Sequence, residues 1–158
     1  MTSQRKGFTL IELLVVIAII GVLSTLAVYS FNLARQKGRD AKRVSDVDQV
    51  RKALELYFVD NESYPAVASA TTLGGASAQA LSDAGFTATG SETGATYMGQ
   101  VPSNLTPGGA NYVYTSTDAA GSACVAEPCD SYMLTFSLEA VTGSLSADAH
   151  TASPSGIE

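Results

Sequence analysis

The first sixty residues carry one long apolar run followed by an amphipathic one. From Leu13 to Ala34, twenty-two residues, there is no charge. A helix needs about 20 apolar residues to cross the hydrocarbon core of a bilayer, so this run is long enough to span. Ser24, Thr25 and Ser30 interrupt its apolar character without spoiling it, because their hydroxyls can bond carbonyls of the preceding turn. Further on, Val44, Val47, Val50, Leu54, Tyr57 and Phe58 fall within an arc of roughly 140° on a helical wheel, an apolar face for a core. Arg51 lies inside that arc, where its stem can pack while its head reaches out. Asp48 and Lys52 form an (i, i+4) pair in the favoured order. The first proline is Pro65, and Tyr64 before it is biased out of the helical region. The pattern therefore predicts one helix from about Phe8 to Asn61, roughly 80 Å long, of which a membrane takes about 30 Å.

The pattern then changes. Residues 66–99 are dominated by Ala, Ser, Thr and Gly, which reads as loop with one short helix around Ser77 to Ala84. Strand signals follow. Asn111 to Thr115 alternates aromatic and β-branched residues, and Ser131 to Ala140 places Tyr132, Leu134, Phe136 and Leu138 on one face. Thr142 to Leu145 adds a third short strand after turn residues. A small antiparallel sheet needs a cover for its apolar face, and the amphipathic half of the helix can supply it. The fold class expected is α+β, a long N-terminal helix packed on a small antiparallel sheet.

Charge sharpens the picture. The chain has 158 residues and a formal net charge of −6. All nine Lys and Arg lie at or before Lys52, and from Ala53 onward there are eleven acids and no base. Nucleic-acid binding by that part is not expected, since phosphate contacts need Lys or Arg. Its acidity serves solubility, or it complements the basic stretch of a neighbouring copy. The bases also bear on membrane orientation. Arg5 and Lys6 precede the apolar run, while Arg35, Lys37, Arg39, Lys42 and Arg43 follow it. A bare count of Lys and Arg would place the N-terminus outside.

Glu12 is the residue that separates the readings of the apolar run. Three stand open: an ordinary transmembrane helix, a secretory signal peptide cut near Ala27, and a leader cut after Gly7. A carboxylate near the centre of a span costs roughly 2.5–3.5 kcal/mol on insertion scales. An anchor or a signal peptide has no use for that cost, whereas helices that pack on each other do. Locally, an acid in the first turn also favours the helix dipole.

The string Lys6-Gly7-Phe8-Thr9-Leu10-Ile11-Glu12-Leu13-Leu14 resembles the class III signal of type IV pilins and of the pseudopilins of type II secretion. The resemblance covers the leader, the cut site and the apolar helix. It implies cleavage between Gly7 and Phe8 by a prepilin peptidase, N-methylation of Phe8, and insertion in the cytoplasmic membrane with the N-terminus inside. Residues 1–7 are then a leader, 8–34 a transmembrane and fibre-core helix, 35–61 its amphipathic continuation, and 62–158 a globular head. Cleavage frees an ammonium at Phe8, and a buried charge survives when it is paired. The ammonium of an incoming copy can pair with Glu12 of its neighbour and so set the axial register, as one buried polar residue does in a coiled coil. The function implied is that of a major pilin, assembled on an inner-membrane platform into an extracellular homopolymeric fibre for adhesion, motility or DNA uptake. A secretion pseudopilin is the near alternative, and a secreted soluble binding domain behind an ordinary signal peptide the distant one. Many relatives carry a helix-breaking Pro in the upper part of the apolar segment, and this sequence has none there.

Other candidate chemistry is sparse. His150, the lone histidine, reads as part of a polar tail with no acid–base constellation around it, and no enzyme activity, metal or cofactor is expected. Asp46 and Asp48 are two apart on a helix and do not face each other. Cys124 and Cys129 lie in the loop between the strands. In an oxidising compartment they are expected to close a local disulfide, with half of a zinc site as the other option. Asp118, Glu127 and Asp130 are read as solvated loop acids in preference to a calcium site.

Overall fold

The computed structural model of the chain describes residues 7–158. Of the expected leader, residues 1–7, all but Gly7 lie outside the described residues. Helix α1 runs from Leu10 to Asn61. The chain divides into two compact units, one up to Gln36 and one from Lys37 to Glu158.

The start of α1 is fixed by side chains. The Thr9 N–H and hydroxyl donate to Glu12 Oε2 (3.2 and 3.1 Å), and the Glu12 N–H donates to Thr9 Oγ1 (3.2 Å). This reciprocal pair is a capping box, which satisfies amides that the first turn leaves without partners. Within the apolar run, the hydroxyls of Thr25 and Ser30 donate to the carbonyls of Val22 and Leu26. The far end, Asn61, stops four residues before Pro65. Glu62 adopts a left-handed conformation (φ 53°), its N–H bonds the Phe58 carbonyl (2.8 Å), and Asn61 donates its amide to the Tyr57 carbonyl.

In the second unit, eight strands make two antiparallel sheets. The larger has the order β1-β5-β6-β7-β8: β1 Thr71–Thr72, β5 Val113–Thr117, β6 Ser131–Ser137, β7 Ala149–Ser153 and β8 Gly156–Ile157. The smaller has the order β3-β2-β4: β2 Ala80–Ser82, β3 Gly85–Thr87 and β4 Thr96–Met98. The α+β class is the one expected. Val47, Val50, Leu54 and Tyr57 of α1 form a single core with Tyr112, Tyr114, Tyr132, Leu134 and Phe136. Strand β6 alternates buried and outward positions along its length, as a half-covered sheet requires. Phe86 of β3 meets Tyr114 of β5 edge to face at 4.8 Å, joining the two sheets.

Three expectations are corrected. The segment from Ser77 to Ala84 is not a helix: it holds β2, paired with β3 in the register Ser82↔Gly85 through the two-residue turn Asp83-Ala84. Gly85 takes φ 80° there, a conformation that costs glycine little. Strands of three residues are too short for a period to show. Thr142 to Leu145 is not a strand either. It makes an isolated bridge, Thr142↔Leu145, and the third strand against β6 is β7, in the register Phe136↔His150. His150 is therefore not in a polar tail. It is buried, packs on Phe136, and its ring nitrogens lie 3.0 Å from the carbonyl oxygens of Glu158 and Ser146. The polar composition of Ala149–Ser153 conceals a strand whose inward positions are His150 and Ala152.

Candidate functional site

The site begins where α1 begins. Gly7, Phe8 and Thr9 precede the helix in non-helical backbone, and all three are exposed. Glu12 sits in the first turn with Oε2 bonded to Thr9. The apolar stretch that follows is bare: Leu10, Ile11, Ile17 and Val22 are 79%, 74%, 61% and 62% exposed. A soluble helix hides such a face, and one that is hydrophobic all round belongs in a membrane or in a larger core. Among the described residues α1 is the one helix long and apolar enough to cross a membrane.

The family model that matches is the prokaryotic N-terminal methylation motif, over residues 2–28. Residues 2–28 thus carry a prokaryotic N-terminal methylation motif. The motif takes in the Gly7–Phe8 junction, the capping pair Thr9–Glu12 and most of the apolar run. Type II secretion system core protein G of Escherichia coli (strain K12) is 44% identical over 64 residues, which is 40% of this chain and 44% of that protein. The protein of the same name from Vibrio cholerae is 37% identical over 67 residues (41% and 46%). The type IV wide pilus major component PilA4 of Thermus thermophilus is 41% identical over 61 residues (39% and 47%). The chain spans less than half the length of these relatives. No solved structure gives a significant match.

Further along α1, beyond the motif, is a second feature that the sequence reading missed. Arg43 is fully buried, and its guanidinium is ringed by oxygens. Nε donates to Asn104 Oδ1 (2.7 Å), Nη1 to Asp40 Oδ1 and Glu139 Oε1 (2.6 Å each), and Nη2 to the carbonyls of Leu105 and Gly108 (2.8 Å each). Asp40, also fully buried, accepts the backbone N–H groups of Glu139 and Ala140. Arg39 holds both oxygens of Glu139 in a forked pair. Two guanidiniums and two carboxylates thus tie one turn of α1 to the 104–109 loop and to the segment after β6. The hydrogen bond from Arg39, with the hydrogen bond and charge of Arg43, outweighs desolvation and lowers the Glu139 carboxyl from 4.5 to about 2. A signal for this network was available. Asp40 and Arg43 extend the spacing of Val47, Val50, Leu54 and Tyr57 back along the same helix face (i, i+3, i+7), and two opposite charges on a core stripe point to a buried pair.

The same geometry changes the meaning of the bases after the apolar run. Arg39 and Arg43 belong to the network, and Lys42 pairs with Asp46 (2.5 Å). Arg35 and Lys37 have no carboxylate partner among the described residues. The remaining candidates are dispersed. Asp46 faces Lys42 and the Tyr112 hydroxyl, and Asp48 faces Lys52 and Arg51. Asp118 accepts the N–H groups of Ala120 and Ser122 in its own turn, Glu127 accepts the Tyr57 hydroxyl, and Asp130 is exposed. Among the described residues, no three His, Cys, Asp or Glu side chains are gathered for a metal. Cys124 and Cys129 are bonded to each other. The loop they close rests on the end of α1, where the Ser63 hydroxyl accepts the Cys129 N–H and the Cys129 carbonyl accepts the Tyr64 N–H.

Proposed function

We propose that this chain is the precursor of a filament subunit. A membrane peptidase cuts between Gly7 and Phe8 and methylates Phe8. The apolar half of α1 holds the subunit in the cytoplasmic membrane with its N-terminus inside, and helix packing then draws it into a filament whose platform lies in the inner membrane. The observation that carries this reading is Glu12, an acid bonded to Thr9 at the head of an exposed apolar stretch of α1, within a matched methylation motif. Oε2 serves the cap, and among the described residues Oε1 has no hydrogen-bond partner, which leaves an acceptor for the Phe8 ammonium of an adjoining copy. Charge-assisted pairs of this kind are the strong ones in a low-dielectric setting.

A major type IV pilin in a surface fibre is our first assignment, and the named pilus component among the relatives supports it. The second is a pseudopilin of a type II secretion system, favoured by the relatives of that name. Fibres sheared from cells and containing this subunit support the first. Loss of exoprotein secretion on deletion, with no surface fibre, supports the second.

The decisive test is the mature N-terminus. Mass spectrometry of the purified subunit is expected to find N-methylated Phe8, while a start near Val28, or retention of the first seven residues, refutes the reading. Glu12→Gln then isolates the charge. Gln also completes a capping box, so the helix start persists and the variant still inserts. Breaking a buried ion pair costs about 3–5 kcal/mol, and filament yield is expected to fall at least ~10-fold. A normal yield removes the register role.

A further inference from the structure

We infer that the outward face of the β5-β6-β7 sheet is a contact surface for a second copy of this chain; the inference rests on the filament reading. In β6, Tyr132, Leu134 and Phe136 point into the core, so Ser131, Met133, Thr135 and Ser137 point out. The register aligns Thr72, Val113, Thr135 and Thr151 in one row across four strands, and Thr115 with Met133 in the next. No outward position on these three strands carries a charge. Met133 is 42% exposed at the centre.

That neutrality selects the occupant. The chain beyond Ala53 has eleven acids and no base, so its copies repel wherever their acids meet. The acids lie instead at strand ends: Asp118 follows β5, Asp130 precedes β6, Asp148 precedes β7 and Glu158 follows β8. An uncharged centre inside a charged rim is the anatomy of a protein contact. The face has no base for a phosphate or an anionic lipid and no aromatic ring on which a sugar or a nucleobase could stack.

Size points to a contact within a polymer. The three strands have five, seven and five residues; at ~3.4 Å per residue and ~4.8 Å between strands they give roughly 280 Å², against about 800 Å² per partner in a stable isolated pair. One such contact is weak alone and gains from every other contact the filament imposes. The contact is heterologous, because a face that closed on itself would end the filament at a dimer.

The experiment places a photoreactive benzophenone amino acid at Thr135 of the full chain, expressed with its own assembly machinery, and irradiates filaments. The expected result is a covalent dimer whose cross-link maps to a second copy. Filaments that form without that cross-link, or that link Thr135 to lipid or to another protein, overturn the inference and leave the filament reading standing. Failure of the unaltered chain to form filaments overturns both. As an independent arm, Thr135→Glu is expected to lower filament yield at least tenfold, with unchanged subunit level and thermal stability, while Thr135→Ser is neutral. Equal yields for the two variants overturn the inference.

Discussion

Arg43→Met is the perturbation on which the account of the second unit depends most. The side chain it replaces is fully buried and makes five hydrogen bonds of 2.6–2.8 Å. Met fills a similar volume, so the cavity term is small and the electrostatic one dominates. Asp40 keeps two backbone donors and Glu139 keeps Arg39, but the carbonyls of Leu105 and Gly108 lose their guanidinium. An orphaned buried acceptor costs about 1–3 kcal/mol, and removing one member of a buried ion pair about 3–5 kcal/mol. These overlap, because the same solvation penalty underlies both. The expected loss is about 4 kcal/mol, a large share of the roughly 5–15 kcal/mol that holds a domain folded. For a unit of this size that is a fall in Tm of roughly 10–20 °C. Arg43→Lys is expected to recover less than half, since one ammonium cannot span oxygens contributed by three segments. Scanning calorimetry of the purified full chain in detergent measures both variants. A Tm within ~3 °C of the unaltered chain, or an increase, refutes the reasoning, because it would mean that desolvation of the guanidinium had cancelled its bonds.

Three further outcomes follow from the same structure. Glu139 is held at about 2 instead of 4.5 in the folded chain; its contribution is complete above pH 4.5 and is lost as pH falls toward 2, and Glu139→Gln is expected to flatten that limb in denaturant titrations. Burial holds the hydroxyls of Tyr112, Tyr114 and Tyr132 above 10; the sign is opposite, so stability present below pH 10 is expected to fall as pH rises through their folded values, with Tyr114→Phe reducing the slope. Gly109 has φ 71°, and a Cβ there would lie 2.9 Å from Arg43 Cζ and Nε, so Gly109→Ala is expected to cost about 2 kcal/mol, whereas Gly121→Ala, with the same sign of φ and open space, costs about half that.

The parts of this protein that the sequence determined by itself are those governed by local or one-dimensional physics. An uncharged run of the right length and a helix period free of proline each act within a few turns of the chain, so the long helix, ending at Asn61, was legible as order along the sequence, whereas the Thr9–Glu12 cap that starts it at Leu10 appeared only in the structure. The inward residues of β6 were legible because a strand of seven residues is long enough to show its period. What only the tertiary structure decided are the elements defined by partners far along the chain. Strands β2, β3 and β4 have three residues each and exist through pairing, while β7 reads as polar until Phe136 stands opposite His150. Arg39 and Arg43 look like surface bases until Glu139, about a hundred residues later, is brought against them. A sequence records which charges are present; whether a charge faces water or a buried carboxylate depends on which distant segments the fold brings together.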